Sequence, residues 1–129
     1  MKKIIAIALS ALLLLSLPLA ALAAEPGDFT DVPTGWSRDA VLAAIENGLL
    51  QGHNGKIDPQ GHLTRAQMAA ILIRAFGVAD PSKAADLSAF TDVDPNAWYD
   101  RELSLAVGIG LFLGDGQGRL SPNDSITRE

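Results

Sequence analysis

The chain repeats itself, and the repeat limits its fold more than any other feature. Phe29-Thr30-Asp31-Val32-Pro33 returns as Phe90-Thr91-Asp92-Val93-Asp94-Pro95. Trp36 returns as Trp98, and Gly48-Leu49-Leu50-Gln51-Gly52 as Gly110-Leu111-Phe112-Leu113-Gly114. Ile57-Asp58-Pro59 returns as Leu120-Ser121-Pro122, and Leu63-Thr64-Arg65 as Ile126-Thr127-Arg128. Five blocks keep the same order, which coincidental composition does not produce. Any fold must be built from two copies of one unit.

Each unit reads as helix, loop, helix. In the first, Ser37 is a candidate N-cap. Trp36 and Val41 then have the spacing of a hydrophobic staple. Val41, Ala44 and Ile45 form an apolar stripe at i, i+3, i+4. Asn47-Gly48 ends the helix, since glycine takes the left-handed conformation without a steric cost. The second copy matches with Leu103, Ala106, Val107 and Gly110. Gly108 falls inside it, and a mid-helix glycine costs about 1 kcal/mol relative to alanine. This helix is expected to be the weaker of the two.

The loop from Gln51 to His62 is dense in glycine, asparagine, aspartate and proline, which favours turns. Ile57 and Leu63 are its apolar pins. Thr64-Arg65-Ala66-Gln67 fits a capping box and opens the second helix, with Leu63 and Met68 as staple. Met68, Ile71, Leu72 and Ala75 line one face, and Gly77 closes it. Residues 78–89 read as a linker containing Pro81. In the second copy Thr127 would be the cap, and the sequence stops at Glu129. That copy is expected to be truncated before its last helix. Leu103, Val107 and Leu120 are then expected to lack a partner helix, unless another copy of the chain supplies it.

Residues 1–23 read differently. Lys2 and Lys3 precede an apolar run from Ile4 to Leu17, broken at Pro18. Ala21-Leu22-Ala23 places small residues at −3 and −1. This is the pattern of a secretory signal peptide. The run is short of the ~20 residues that a spanning helix needs. Cleavage after Ala23 removes two bases and no acid, so the formal net charge falls from −5 to −7. Residues 24–28 form a short lead.

That charge excludes the basic footprint of a nucleic-acid binder. The absence of cysteine excludes a disulfide framework, a thiol nucleophile, thiolate metal sites and a lipoprotein anchor. His53 and His62 alone make a poor zinc site. Asp115-Gly116-Gln117-Gly118-Arg119 lacks the carboxylates of a calcium loop and reads as a turn. Nothing places Ser, His and Asp for nucleophilic catalysis, or singles out two carboxylates for glycoside hydrolysis. No cofactor, metal or catalytic residue is expected.

The Phe-x-Asp-Val start, the tryptophan, Gly-Leu-hydrophobic-x-Gly and the Leu63-Thr64-Arg65-Ala66-Gln67 box together resemble the S-layer homology domain. The box resembles that family's Ile-Thr-Arg-Ala-Glu signature, with Gln67 in place of glutamate. The resemblance covers residues 29–129: a first repeat at 29–77 and a truncated second at 90–129. It implies an all-α fold of helix-loop-helix repeats, here an incomplete pseudo-threefold bundle with ligand grooves between repeats. It implies a non-catalytic anchoring module outside the cell membrane, in the cell wall or S-layer. The partner would be wall polysaccharide, often bearing ketal-linked pyruvate. Two alternatives are the anchoring end of an exported hydrolase, and a self-association module completed between chains.

A pyruvate ketal presents a carboxylate, which the planar fork of arginine matches. Arg65 and Arg128 stand at the first helical position, where the helix dipole also favours an anion. The alternative for Arg65 is pairing with a carboxylate such as Asp31. Asp31 and Asp92 could orient the arginine or accept from sugar hydroxyls; the alternative is turn-making with Thr30 and Thr91. Trp36 and Trp98 offer flat faces to a sugar ring; the alternative is core packing through the staple.

Overall fold

The computed structural model describes residues 24–126. It contains three α-helices: α1 (Arg38–Glu46), α2 (Arg65–Ala75) and α3 (Asp100–Gly108). Short 3-10 turns lie at Pro26–Asp28 and Pro81–Lys83. Among the described residues there is no strand, only isolated bridges pairing His53 with Lys56 and Thr64 with Ser125. The fold is all-α, as the repeat pattern predicts. The expected signal peptide and Thr127-Arg128 lie outside the described residues.

Helix α2 begins where its capping box places it. Thr64 Oγ1 accepts from the Gln67 amide at 3.2 Å, and the Thr64 amide donates to Gln67 Oε1 at 2.8 Å. The remaining first-turn amides go to the second repeat. Arg65 N donates to Asp124 O and Ala66 N to Pro122 O, both at 2.9 Å. Ile126 N donates back to Leu63 O at 2.8 Å. The tail of one repeat thus closes the helix start of the other.

Helix α1 departs from expectation at its start. Ser37 stands at the cap position, but its hydroxyl makes no capping bond. Trp36 is 98% exposed, so the staple with Val41 is not formed. The end is as read: Gly48 has φ 69°, and Leu49 N donates to Ala44 O at 2.8 Å. Ile45 is the one α1 residue that is buried.

The core lies between α2 and α3. Ala66, Ala69 and Ile73 pack into one cluster with Leu103, Leu105 and Ala106, closed by Leu87, Tyr99, Phe112 and Leu120. Three alanines on α2 (Ala66, Ala69 and Ala70) are buried, and small side chains let helices approach closely. Leu103 and Leu120 are 1% and 2% exposed. Their partner is therefore present, and it is the second helix of the first repeat. This corrects the expectation of a missing partner: the helix pair forms across the repeat boundary, not within a repeat. Burial of each leucine contributes about 1.5–3 kcal/mol. Helix α1 packs instead on the Pro26–Asp28 turn.

Helix α3 is more deeply packed than α1. Leu103, Ser104, Leu105 and Ala106 are all buried, against one residue of α1. Gly108 has a tertiary reason. A Cβ there would collide with Lys83 O, because the connector crosses the helix at that point. Ala85 N donates to Ser104 O at 2.9 Å, and Leu87 of the connector is buried in the core.

Candidate functional site

Asp31 and Asp92 do the same local job in their two repeats. Asp31 Oδ1 and Oδ2 accept from the amides of Ile57 and Asp58, each at 2.8 Å. Asp92 accepts from Leu120 at 3.0 Å and Ser121 at 2.8 Å. Asp58 and Ser121 have φ of 54° and 51°, a left-handed conformation that costs a non-glycine residue about 1–2 kcal/mol. The carboxylates offset that strain. Hydrogen bonds from Ile57 lead the causes that hold the Asp31 carboxyl below its ordinary range. Burial pushes the Asp92 carboxyl up, but the Leu120 and Ser121 amides, its own amide and Arg119 together outweigh burial and hold it low. Arg119 Nε stands 3.8 Å from Asp92. Thr30 and Thr91 add backbone bonds to Gly55 O and Gly118 O at 3.1 and 3.0 Å.

Arg65 leaves its own repeat. Nε donates to Leu120 O at 2.9 Å and Nη2 to Leu113 O at 3.2 Å. The guanidinium carbon lies 5.1 Å from the centre of the Phe112 ring, a cation–π arrangement. It does not pair with Asp31, whose oxygens hold the loop backbone. The first three amides of α2 are all bonded, so the helix start offers no free amide to an anion. An anion near Arg65 would have to be met by the side chain.

The tryptophans lie outside the core. Trp36 is 98% exposed and Trp98 61% exposed. Trp98 meets Tyr99 edge-on, with centroids 5.5 Å apart and planes at 82°. Tyr99, not tryptophan, enters the core from this segment.

Two grooves flank α2. One, of about 920 Å³, is lined by Gln67 and Arg74 of α2, Lys56 and Asp58 of the first loop, and Trp98. The other, of about 560 Å³, is lined by Arg65, Met68 and Leu72 of α2 and by Leu111, Phe112 and Leu113. The expected residues do not converge on one cleft. Arg65 borders the second groove, Trp98 the first, and Asp31 and Asp92 hold loops. Trp36 stands alone, and Arg128 lies outside the described residues. Sequence reading missed Arg74 and Lys56. Gln67, Ala70, Ile71 and Arg74 follow helical spacing, so Arg74 could have been placed on the face of Gln67. Lys56 had no such signal.

The sequence model of the S-layer homology domain matches residues 28–69 and 89–129. A surface-layer 125 kDa protein of Lysinibacillus sphaericus is 35% identical over 108 residues, 79% of this chain and 9% of that protein. Endo-1,4-beta-xylanase A of Thermoanaerobacterium saccharolyticum is 30% identical over 102 residues, 78% of this chain and 8% of that protein. A cell surface protein of Thermoanaerobacter kivui is 33% identical over 132 residues, 98% of this chain and 17% of that protein. The chain thus spans a small part of the length of these relatives. No solved structure matches. Two family matches that together span most of the described chain leave one conclusion: it belongs to the S-layer homology domain family.

Proposed function

We propose that this chain is a non-catalytic module that anchors an exported protein to the cell envelope by binding wall polysaccharide, probed first in its pyruvate-bearing form. The observation that carries this reading is the pair of repeat-equivalent indoles outside a core that is complete without them. Exposed aromatic faces are costly to leave unused and suit the apolar face of a sugar ring. Family membership and the surface-layer relatives support the same location. Trp36 and Trp98 are the sugar platforms. Arg65, and Arg128 as its repeat counterpart, are the cations offered to an acidic sugar. Arg65 spends two of its five donors on carbonyls. Asp31 and Asp92 act by shaping the loops.

The test is pelleting of the purified chain with sacculi, before and after removal of their secondary polysaccharide. Binding that depends on the polysaccharide is expected. Equal binding to stripped sacculi would overturn the reading. A second reading follows from the xylanase relative: the module is the anchoring end of an exported polysaccharide hydrolase. A catalytic domain encoded in the same gene would establish it. In a third, copies of the chain complete one another, with the half-buried stripe of α1 as the shared face. Sedimentation across a concentration series tests that one.

A further inference from the structure

We propose that the Asp58–Pro59 peptide bond is a self-cleavage site, at which the Asp58 side chain cuts its own backbone in mildly acidic water. Such a cut does not depend on what the module binds. It would split the first repeat between its two helices.

A peptide bond to proline is a tertiary amide, and its nitrogen leaves as a secondary amine once it takes a proton. An aspartate just before it carries a tethered nucleophile, which reacts far faster than a free one. The chain has three such bonds: Asp58–Pro59, Asp80–Pro81 and Asp94–Pro95. The structure sets the first apart. Proline steers the residue before it toward extended backbone, and Asp80 has φ −74°. Asp58 instead has φ 54°, a strained left-handed conformation, with its amide held by Asp31 Oδ2 at 2.8 Å. The carbonyl to be attacked accepts from Gly61 N at 3.0 Å, a donor placed to steady the negative charge that develops there. The carbonyls of Asp80 and Asp94 have similar donors in Lys83 N and Ala97 N. Their carboxylates differ. That of Asp80 accepts from the Ser82 amide and hydroxyl, and that of Asp94 from the Asn96 amide, so each is tied into the next turn. Among the described residues no group donates to the Asp58 carboxylate. It lies over Gly61, where a Cβ would collide with it, and so on the same side as the carbonyl that Gly61 N holds. Asp58 and Pro59 are both exposed, so water reaches the bond.

A carboxylate oxygen of Asp58 bonds to its own carbonyl carbon, and the bond from that carbon to Pro59 N breaks. The electron pair goes to the nitrogen, which takes a proton from the acidic water. Asp58 is left as a cyclic anhydride. Water then opens the anhydride to two carboxyl groups, so the net reaction consumes one water and oxidises nothing. Acid serves the leaving nitrogen and in the end disarms the carboxylate, so the rate passes through a maximum as pH falls. The charged groups around the bond are Asp31 on the Asp58 amide and, lining the same groove, Lys56 and Arg74, with His53 beside them. The second repeat carries its own control. Ser121 precedes Pro122 with φ 51°, and its amide is held by Asp92, but it has no carboxylate. Every residue of the core cluster lies after Pro59, so the α2–α3 core outlasts the cut while α1 loses its covalent link to it.

The experiment holds the purified chain in a series of buffers from neutral to mildly acidic, with and without urea, and identifies the fragments by mass. In the folded chain we expect a break after Asp58 about tenfold faster than after Asp80 or Asp94. In urea the three bonds should break at similar rates. Asp58→Glu enlarges the ring that the attack must close, and Gly61→Ala pushes the carboxylate aside while leaving nucleophile and proline in place. Each should slow the break by about tenfold. The methyl of Gly61→Ala meets only the end of an exposed side chain, so that variant keeps the helical circular dichroism signal even if Asp58→Glu loosens the loop. Breakage after Asp58 that is no faster than at the other two bonds overturns the proposal. So does a preference that persists in urea, since the fold would then play no part, and so does breakage at the parent rate in both variants.

Discussion

The guanidinium of Arg65 reaches out of its own repeat and donates to the carbonyl of Leu120, 2.9 Å away. With the second bond to Leu113 O and the Phe112 face beneath it, this one side chain fastens the second loop to the first repeat's helix. Hydrogen bonds to a charged group contribute about 1.5–3 kcal/mol net when shielded from water and less where exposed, as the bond to Leu113 O is. Arg65→Ala is therefore expected to lower stability by about 2 kcal/mol in urea denaturation. A variant as stable as the parent would mean the bonds contribute nothing. Loss of polysaccharide binding in Arg65→Ala must be read against its stability, because a loosened loop and a lost contact would look alike in a pelleting assay.

Gly108 gives a prediction in which local and tertiary physics oppose each other. Helix propensity alone says that Gly108→Ala should stabilise by about 1 kcal/mol. The connector at Lys83 says otherwise, because the new methyl would occupy the place of a carbonyl oxygen. Overpacking of this kind typically costs about 1–3 kcal/mol. We expect a net loss in thermal denaturation; a gain would show that the connector can lift away from α3 freely.

The capping box offers a plainer case. Thr64→Ala removes the acceptor for the Gln67 amide and should cost about 1 kcal/mol by urea titration. Thr64→Ser should restore most of it.

Acid is expected to loosen both loops. The Asp31 and Asp92 carboxyls are held below the ordinary aspartate range by the backbone amides that donate to them. A carboxyl whose folded pKa is depressed contributes stability that is fully present above its unfolded value and is lost as pH falls through the folded value. Stability should therefore be flat above about pH 5 on this account and drop below pH 4. In Asp92→Asn the neutral amide cannot accept both bonds through oxygen. That variant should be less stable at neutral pH, and its urea midpoint should depend less on pH between 5 and 2. Unchanged acid dependence would remove Asp92 from the account.

What could be read from the sequence was what is decided locally. Thr64 and Gln67 announce α2 because a capping box needs four consecutive residues. Gly48, Gly77 and Gly110 end their helices with φ of 69°, 62° and 78°, as the spacing suggested. The partner of Leu103 was not legible, since periodicity marks an apolar face and not the helix that will meet it. Trp36 shows the same limit. Its spacing to Val41 is that of a staple, yet no contact follows, and Ser37 does not cap. The clamp role of Asp31 joins residues 26 apart, beyond any short motif, although its recurrence as Asp92 was a hint. The capping box placed Arg65 at the first helical position, and it stands there. Its partners lie 48 and 55 positions away and could only come from the fold.

Helix α2 belongs to one repeat by sequence and to the next by packing. A graft or deletion cut at the apparent period would therefore leave α2 or α3 with an oily side bare. The heritable unit and the cooperative unit are out of phase by half a repeat. An engineer moving this module between proteins should cut within the loops of neighbouring copies, keeping α2, the connector and α3 as one piece.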